Sequence, residues 1–138
     1  MKFINTLISR DETTVSKGRF YEARAKDYLK KQGLGEFQFN YHCRYGEIDL
    51  IARDRDTLVF IEVRYRKKQQ HGSAAATVHF HKQQKIIKTA QHYLQKNGLT
   101  NQVPCRFDVI GITGKESEST FSMKYKDNLE FKWIKNAF

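Results

Sequence analysis

Two carboxylates lie inside two consecutive strand patterns, and this arrangement constrains the fold more than any other feature of the chain. The first pattern, residues 46–51, reads Gly-Glu-Ile-Asp-Leu-Ile and contains Asp49; the second, residues 58–64, reads Leu-Val-Phe-Ile-Glu-Val-Arg and contains Glu62. Branched and aromatic residues bounded by turn residues are typical of a β-hairpin. If Arg55 and Asp56 form a two-residue loop, the hairpin ladder brings Asp49 directly opposite Glu62.

Opposed carboxylates require a compensating charge. Residues directly across a ladder have β-carbons about 4.5–5.5 Å apart, and like charges there destabilise the sheet. A divalent cation such as Mg²⁺, which selects carboxylate oxygens, would remove the repulsion. A slip of one residue would place the two carboxylates on opposite faces. The alternative interpretation is that Glu47 pairs with Arg64 while Asp49 and Glu62 reach solvent at the strand ends.

The hydrophobic alternation favours the unslipped register. In that register the two strands share one continuous apolar face, made of Ile48, Leu50, Ala52, Val59, Ile61 and Val63. The opposite face carries a polar cluster at one end and core residues at the other.

The charge balance predicts an anionic partner. The chain has a net charge of +10, which favours nucleic acid ahead of a membrane surface. Residues 63–107 contain no Asp or Glu, so their basic side chains are candidates for phosphate contacts. The predicted nucleic-acid-binding residues are Arg66, Lys67, Lys68, Lys82, Lys85 and Lys88.

Length and cysteine usage indicate a small reduced protein. A chain of 138 residues is long enough to bury a core as one domain. Two cysteines, Cys43 and Cys105, with no secretory pattern, predict a cytoplasmic protein with free thiols. No segment approaches the roughly 18 apolar residues of a membrane span, so no membrane association is expected.

A helical pattern runs over residues 16–32, after a segment 1–15 without sustained period that we interpret as an N-terminal arm. Tyr21, Ala25 and Leu29 recur at helical spacing, and Gly33 is placed to end the helix. Glu22 lies on the same stripe, where a lone charge is costly to bury. The alternative is that Glu22 lies at the edge of the stripe and pairs with Lys26.

The remaining chain predicts a mixed α/β domain over residues 16–138. Strands are expected at 37–44, 47–66 (the hairpin) and 106–113, a loop at 69–77, a second amphipathic helix at 81–97 and a turn-like segment at 114–120. One or two closing elements are expected within 121–138. A mixed central sheet flanked by the two helices would bury both apolar stripes.

At this level of detail the chain resembles a known family. The segments Gly18-x-x-x-Glu22, Asn40, 46–51, 60–66, 106–109 and 133–138 resemble the YraN family of bacterial proteins, which is similar to the restriction-endonuclease-like superfamily with its Holliday-junction resolvases. The resemblance implies a mixed sheet flanked by helices. It also implies a metal-dependent active site built from a helix Glu, an Asp and a Glu-x-Lys motif, which map onto Glu22, Asp49 and Glu62-Val63-Arg64.

This resemblance implies a nuclease that acts on DNA more readily than RNA, including branched DNA. Asp49, Glu62 and the carbonyl of Val63 would hold Mg²⁺ or Mn²⁺, with Glu22 directly or through water. The departure is Arg64, which stands where the family pattern has Lys and cannot accept a proton at ordinary pH. A non-catalytic nucleic-acid-binding protein is therefore the main alternative, and a membrane- or ribosome-associated protein is a third. Symmetric cleavage of two strands would favour a homodimer.

Overall fold

Five strands form one mixed sheet with a helix on each face. The computed structural model describes residues 2–66, 78–115 and 128–138, with the side chains of 16–66, 78–114 and 128–138. The elements are α1 (Lys2–Lys31), β1 (Gly35–Cys43), β2 (Gly46–Asp54), β3 (Thr57–Arg66), α2 (Phe80–Lys96), β4 (Cys105–Lys115) and β5 (Asn128–Ile134). Strand order in the sheet follows chain order. Strands β3 and β4 are parallel, and the other neighbours are antiparallel. The predicted α/β fold with a mixed central sheet is confirmed.

Helix α1 packs on one face of the sheet and ends where the sequence predicts. Its buried residues Tyr21, Ala25 and Leu29 join a core cluster with sheet residues such as Leu50. Their spacing of four places them on one side of the helix. At the end of the helix, Gly33 has a φ of +104°. This left-handed conformation is readily adopted by glycine, and it ends the helix.

The start of α1 differs from the prediction. The helix begins at Lys2 rather than at Ser16, so the segment interpreted as an arm is helical and continuous with α1. No proline or glycine precedes Gly18 in the chain, and those are the residues that most strongly interrupt a helix. The apolar period that marks a packed helix face appears only beyond residue 16, which is why the prediction began there.

Helix α2 covers the opposite face of the sheet and forms the crossover between the parallel strands β3 and β4. Ile86, Ala90 and Tyr93 are buried against Ile51 and Phe60. Alternate residues of a strand point to opposite faces, so Ile51 and Phe60 lie on the side away from α1. The two predicted helical stripes therefore bury both faces of the sheet.

Several predicted segments differ slightly from the structure or lie outside it. Helix α2 begins one residue before the predicted 81–97, and β4 extends through Lys115 into the segment predicted as a turn. The predicted loop at 69–77 and the positions Phe121, Met123 and Tyr125 lie outside the described residues. Within the described part of the chain, no helix is long and apolar enough to cross a membrane.

Candidate functional site

The β2–β3 hairpin has the predicted register. Asp54 pairs with Thr57 across a two-residue loop, and the paired positions continue to Leu50 opposite Ile61. One step further along the ladder, the backbone N–H of Val63 donates to Asp49 Oδ2 at 2.8 Å. The Asp49 carboxylate of β2 thus accepts a hydrogen bond from the backbone of β3 at the position where the regular pairing of the two strands ends.

The interrupted ladder also explains one wrong assignment. Ile48 was predicted on the same apolar face as Leu50, but it packs in the cluster on the α2 side of the sheet. The other five residues of that predicted face contact the α1-side cluster. Regular alternation holds while both strands follow the ladder, and Ile48 lies beyond the last pair, Leu50 with Ile61.

Asp49 holds a proton at neutral pH because of its surroundings. Desolvation by burial is the largest cause and, with the neighbouring charge of Glu62, raises its pKa from an ordinary value of 3.8 to about 8. The N–H bond from Val63 opposes this shift, while a hydrogen bond with Glu62 and the charge of Glu22 add to it. The neighbouring carboxylate therefore disfavours the ionised form of Asp49.

Glu62 is buried and contacts two cationic side chains. Its side chain is 5% exposed, and the same Oε1 atom lies 2.7 Å from Lys82 Nζ and 3.6 Å from Arg64 Nε. The Arg64 Nε atom is buried and has no hydrogen-bond partner. The alternative in which Arg64 pairs with Glu47 and the two carboxylates reach solvent is therefore wrong.

Glu22 faces the carboxylate pair from α1 and is held by Asn40. The Asn40 side-chain amide donates to Glu22 Oε2 at 2.9 Å. Burial raises the pKa of Glu22, the bond from Asn40 lowers it, and the charges of Glu47 and Glu62 raise it. The alternative partner, Lys26, instead places its ammonium 5.9 Å from the centroid of the Phe39 ring.

Asn40 is a site residue whose role the sequence analysis missed. Its φ is +53°, a left-handed conformation that asparagine tolerates better than most residues. The sequence feature that could have indicated this role is the single asparagine within the predicted strand 37–44, together with a glutamate on the inward side of the first helix. The bent backbone of β1 at Asn40 directs its amide toward Glu22.

The carboxylates fit a cation site of two direct ligands. Among the described side chains, those of residues 16–66, 78–114 and 128–138, no group of three or more His, Cys, Asp or Glu residues is placed to hold a metal ion together. Asp49 and Glu62 lie side by side, whereas Glu22 acts on them through its charge. Paired carboxylate oxygens match a hard divalent cation, and its arrival would displace the proton held by Asp49.

A cleft of about 370 Å³ opens over the pair on the α2 side of the sheet. Its lining residues are Gly46, Glu47, Asp49, Glu62, His81, Lys82, Lys85 and Ile86. Lys82 and Lys85, two of the predicted nucleic-acid-binding residues, thus line this cleft. The exposed Lys88 lies farther along the same helix.

The other predicted basic contacts are distributed differently. Arg66 is half-buried at the end of β3, and it takes part in interactions within the protein. Lys67 and Lys68 lie outside the described residues. The described basic side chains at the cleft thus belong mainly to α2.

A second buried carboxylate, Asp108, joins β4 to the segment after β5. It is fully buried and accepts hydrogen bonds from Arg106 Nε at 3.0 and 3.1 Å, from Trp133 Nε1 at 2.9 Å and from the Asn136 backbone at 3.0 Å. Arg106 also donates to Asp54 at 2.8 Å. A charge satisfied by this many donors stabilises the fold, so Arg106 belongs to this network rather than to a phosphate-binding surface.

Fold and site together define an α/β protein with two adjacent carboxylates in a cleft that is also lined by two lysines. The profile of the family described as Uncharacterised protein family UPF0102 matches residues 21–112. A UPF0102 protein of Nitrosococcus oceani is 49% identical over 122 residues, covering 88% of this chain and 90% of the relative. A UPF0102 protein of Legionella pneumophila strain Corby is 46% identical over 125 residues, covering 91% and 96%. One from Alcanivorax borkumensis is 47% identical over 121 residues, covering 88% and 90%.

The chain belongs to the UPF0102 family, and the resemblance to the YraN family is thereby confirmed. The matched region contains α1 from Tyr21, both hairpin strands, α2 and most of β4. It therefore includes Glu22, Asn40, Asp49, Glu62 and Lys82.

Proposed function

We propose that this protein is a metal-dependent nuclease that hydrolyses phosphodiester bonds in DNA, with branched or junction DNA among its substrates. The observation that carries the proposal is the pair formed by half-buried Asp49 and buried Glu62 in a cleft lined by Lys82 and Lys85. Placing two carboxylates together is unfavourable for the fold. Their proximity supports a function that needs it, and cation binding is the simplest one.

Asp49 and Glu62 would hold one or two Mg²⁺ or Mn²⁺ ions, with the carbonyl of Val63 as a further oxygen ligand and Glu22 acting through water. Such an ion supplies a water of lowered pKa and stabilises the leaving oxygen. The protein's part is to keep the carboxylates in place, and Asn40 does so for Glu22. Glu62 is held by its two cationic neighbours.

Arg64 is suited to binding the scissile phosphate rather than to moving protons. It remains charged at every relevant pH, and a fixed positive charge stabilises charge that develops on a phosphoryl group. Lys85 and Lys88 on α2 would contact flanking phosphates without reading the base sequence. Further phosphate contacts would come from the end of β3 and the residues that follow it, namely Arg66, Lys67 and Lys68. A DNA substrate also implies a cytoplasmic location.

The first experiment is calorimetric titration of Mg²⁺ and Mn²⁺ into the wild type, Asp49→Ala and Glu62→Ala. The wild type is expected to bind, and both variants are expected to lose binding. Wild-type protein with metal should then cleave linear or branched DNA, and Asp49→Ala should not. Absence of metal binding both with and without DNA would reject the proposal.

A paired comparison separates the two roles assigned to the cleft. Asp49→Ala should abolish cleavage but preserve DNA binding in the absence of metal, because Asp49 is assigned to the metal and not to a phosphate contact. Lys85→Ala should weaken binding to all sequences and reduce its salt dependence. Equal effects of both substitutions on DNA binding would contradict this division of roles.

The second candidate is a nucleic-acid-binding protein without cleavage activity. Two observations favour it: Arg64 occupies the position where the nuclease pattern has Lys, and Lys82 already neutralises Glu62. In that case DNA would bind without metal, and neither Mg²⁺ nor Mn²⁺ would raise the melting temperature.

A further inference from the structure

The Lys82 ammonium contacts Glu62, one of the two carboxylates proposed to hold a cation. The ammonium lies 2.7 Å from Oε1 of Glu62, the shorter of the two cationic contacts to that oxygen. The two partners differ strongly in exposure: the Glu62 side chain is 5% exposed and that of Lys82 is 44% exposed. The ammonium thus reaches a buried oxygen from a side chain that is itself open to solvent.

This difference in exposure determines which of the two cationic side chains can leave. Lys82 lies in the first turns of α2, on a flexible stem whose head can return to water. Arg64 is 28% exposed, and its Nε atom is buried. Removing Lys82 from Glu62 therefore requires a rotation of one exposed side chain, whereas removing Arg64 requires rearrangement beneath the surface.

A divalent cation and the Lys82 ammonium cannot share Glu62 cheaply. Both would contact the same carboxylate, within a few ångströms of each other, where like charges repel in a partly desolvated site. We propose that Lys82 is an internal counter-ion that a divalent cation displaces from Glu62, and that the displaced ammonium then binds nucleic-acid phosphate. This inference rests on the metal site of the proposed function.

The exchange couples the binding of a divalent cation to the binding of DNA. In the metal-free protein, Glu62 retains Lys82, so the ammonium is withheld from phosphate. With metal on Glu62, the same ammonium becomes available at the mouth of the cleft beside Lys85. Coupling between two ligands is reciprocal, so DNA that retains Lys82 in its displaced position should strengthen metal binding by the same factor.

The test compares Lys82→Met with a charge-matched control, Lys85→Met, in the full-length protein. Lys85 lines the same cleft, so both substitutions remove one positive charge near the carboxylates. Mn²⁺ is titrated into each protein by calorimetry without DNA. Lys82→Arg is included because it keeps a positive charge next to Glu62.

Lys82→Met should bind Mn²⁺ about fivefold more tightly than the wild type, which corresponds to the roughly 1 kcal/mol of a partly exposed ion pair. Lys85→Met should change Mn²⁺ affinity less than Lys82→Met, and Lys82→Arg should resemble the wild type. Equal gains in Lys82→Met and Lys85→Met would show that general charge, not displacement, controls metal affinity, and would overturn the inference. Unchanged or weaker Mn²⁺ binding by Lys82→Met would also overturn it.

A second measurement tests whether the displaced Lys82 ammonium binds DNA phosphate. Affinity for a labelled DNA duplex is measured by anisotropy without metal and with saturating Ca²⁺, an oxygen-binding cation. Ca²⁺ should raise the affinity of the wild type and Lys85→Met, but not that of Lys82→Met. A gain that persists in Lys82→Met would refute the phosphate role of Lys82.

The two proposals fail in different ways. Equal Mn²⁺ affinities of the wild type and Lys82→Met would agree with the proposed metal site but would reject the exchange. Absence of Mn²⁺ binding in both proteins, with and without DNA, rejects the metal site and the exchange together.

Discussion

Replacing Asp49 by asparagine should remove a pH dependence that the carboxylate pair imposes on stability. The pKa of Asp49 rises from 3.8 to about 8 on folding. Between those values the folded protein holds a proton that the unfolded chain has released. Stability changes with pH in proportion to the protons bound by the unfolded state minus those bound by the folded state. That difference is negative here, so the free energy of unfolding falls as pH rises from about 4 to about 8.

The size of the effect follows from the pKa shift. One proton contributes about 1.36 kcal/mol per pH unit, so from about pH 5 to about pH 8 the wild type should lose at most about 4 kcal/mol through this group. The side-chain amide introduced by Asp49→Asn is neutral at every pH. Its oxygen can still accept from the Val63 N–H, and its NH₂ can donate to Glu62. Asp49→Asn should therefore match the wild type near pH 4 and exceed its stability by a growing margin as the pH rises toward 8.

The assay is urea unfolding in metal-free buffer with chelator at several pH values across this same range. The informative quantity is the difference in unfolding free energy between Asp49→Asn and the wild type, because other titrating groups cancel in it. Asp56→Asn, in the exposed hairpin loop, serves as the control and should show a nearly constant difference. A constant difference for Asp49→Asn as well would refute the assignment of the raised pKa to Asp49.

Substitutions at three further positions test other contacts by chemical unfolding. Asp108→Asn should destabilise the protein by about 3 kcal/mol, because it removes a fully buried carboxylate and leaves half-buried Arg106 with Asp54 as its remaining carboxylate partner; a loss below about 1 kcal/mol would contradict this role. Asn40→Ala should cost more stability than Asn40→Gly, because glycine adopts the φ of +53° at that position without strain. Both Asn40 variants should weaken Mn²⁺ binding by releasing Glu22, and unchanged metal affinity would argue against this positioning. Gly114→Ala should destabilise by more than about 2 kcal/mol, since a Cβ there would lie 1.9 Å from the Asn128 carbonyl oxygen; a neutral effect would show that the two strands can separate locally.

The sequence predicted the hairpin and the carboxylate pair because both depend on local pattern. A period of two in the apolar residues sets the register, and the register alone brings Asp49 to Glu62. The inward position of Glu22 followed in the same way from helical spacing. These predictions needed no knowledge of how distant segments pack.

The partners of these carboxylates could not be predicted, because they come from distant elements. The sequence indicated Lys82 only as a candidate phosphate contact, and its ion pair with Glu62 depends on how the crossover helix α2 lies over the sheet. The role of Asp108 likewise depends on hydrogen bonds from Trp133 in β5 and from Asn136, which are distant from it in the sequence. Tertiary packing, which the spacing of residues does not encode, decides both.

The bond from the Val63 N–H to Asp49 makes one peptide group a natural reporter of the site. A protonated carboxyl is a weaker acceptor than a carboxylate, so loss of the Asp49 proton should shift the amide resonance of Val63. Cation binding, which draws electron density from the same carboxylate, should move that resonance in its own characteristic way. A single backbone signal in a nuclear magnetic resonance spectrum could therefore distinguish the protonated, ionised and metal-bound forms of the pair without any label on the carboxylates themselves.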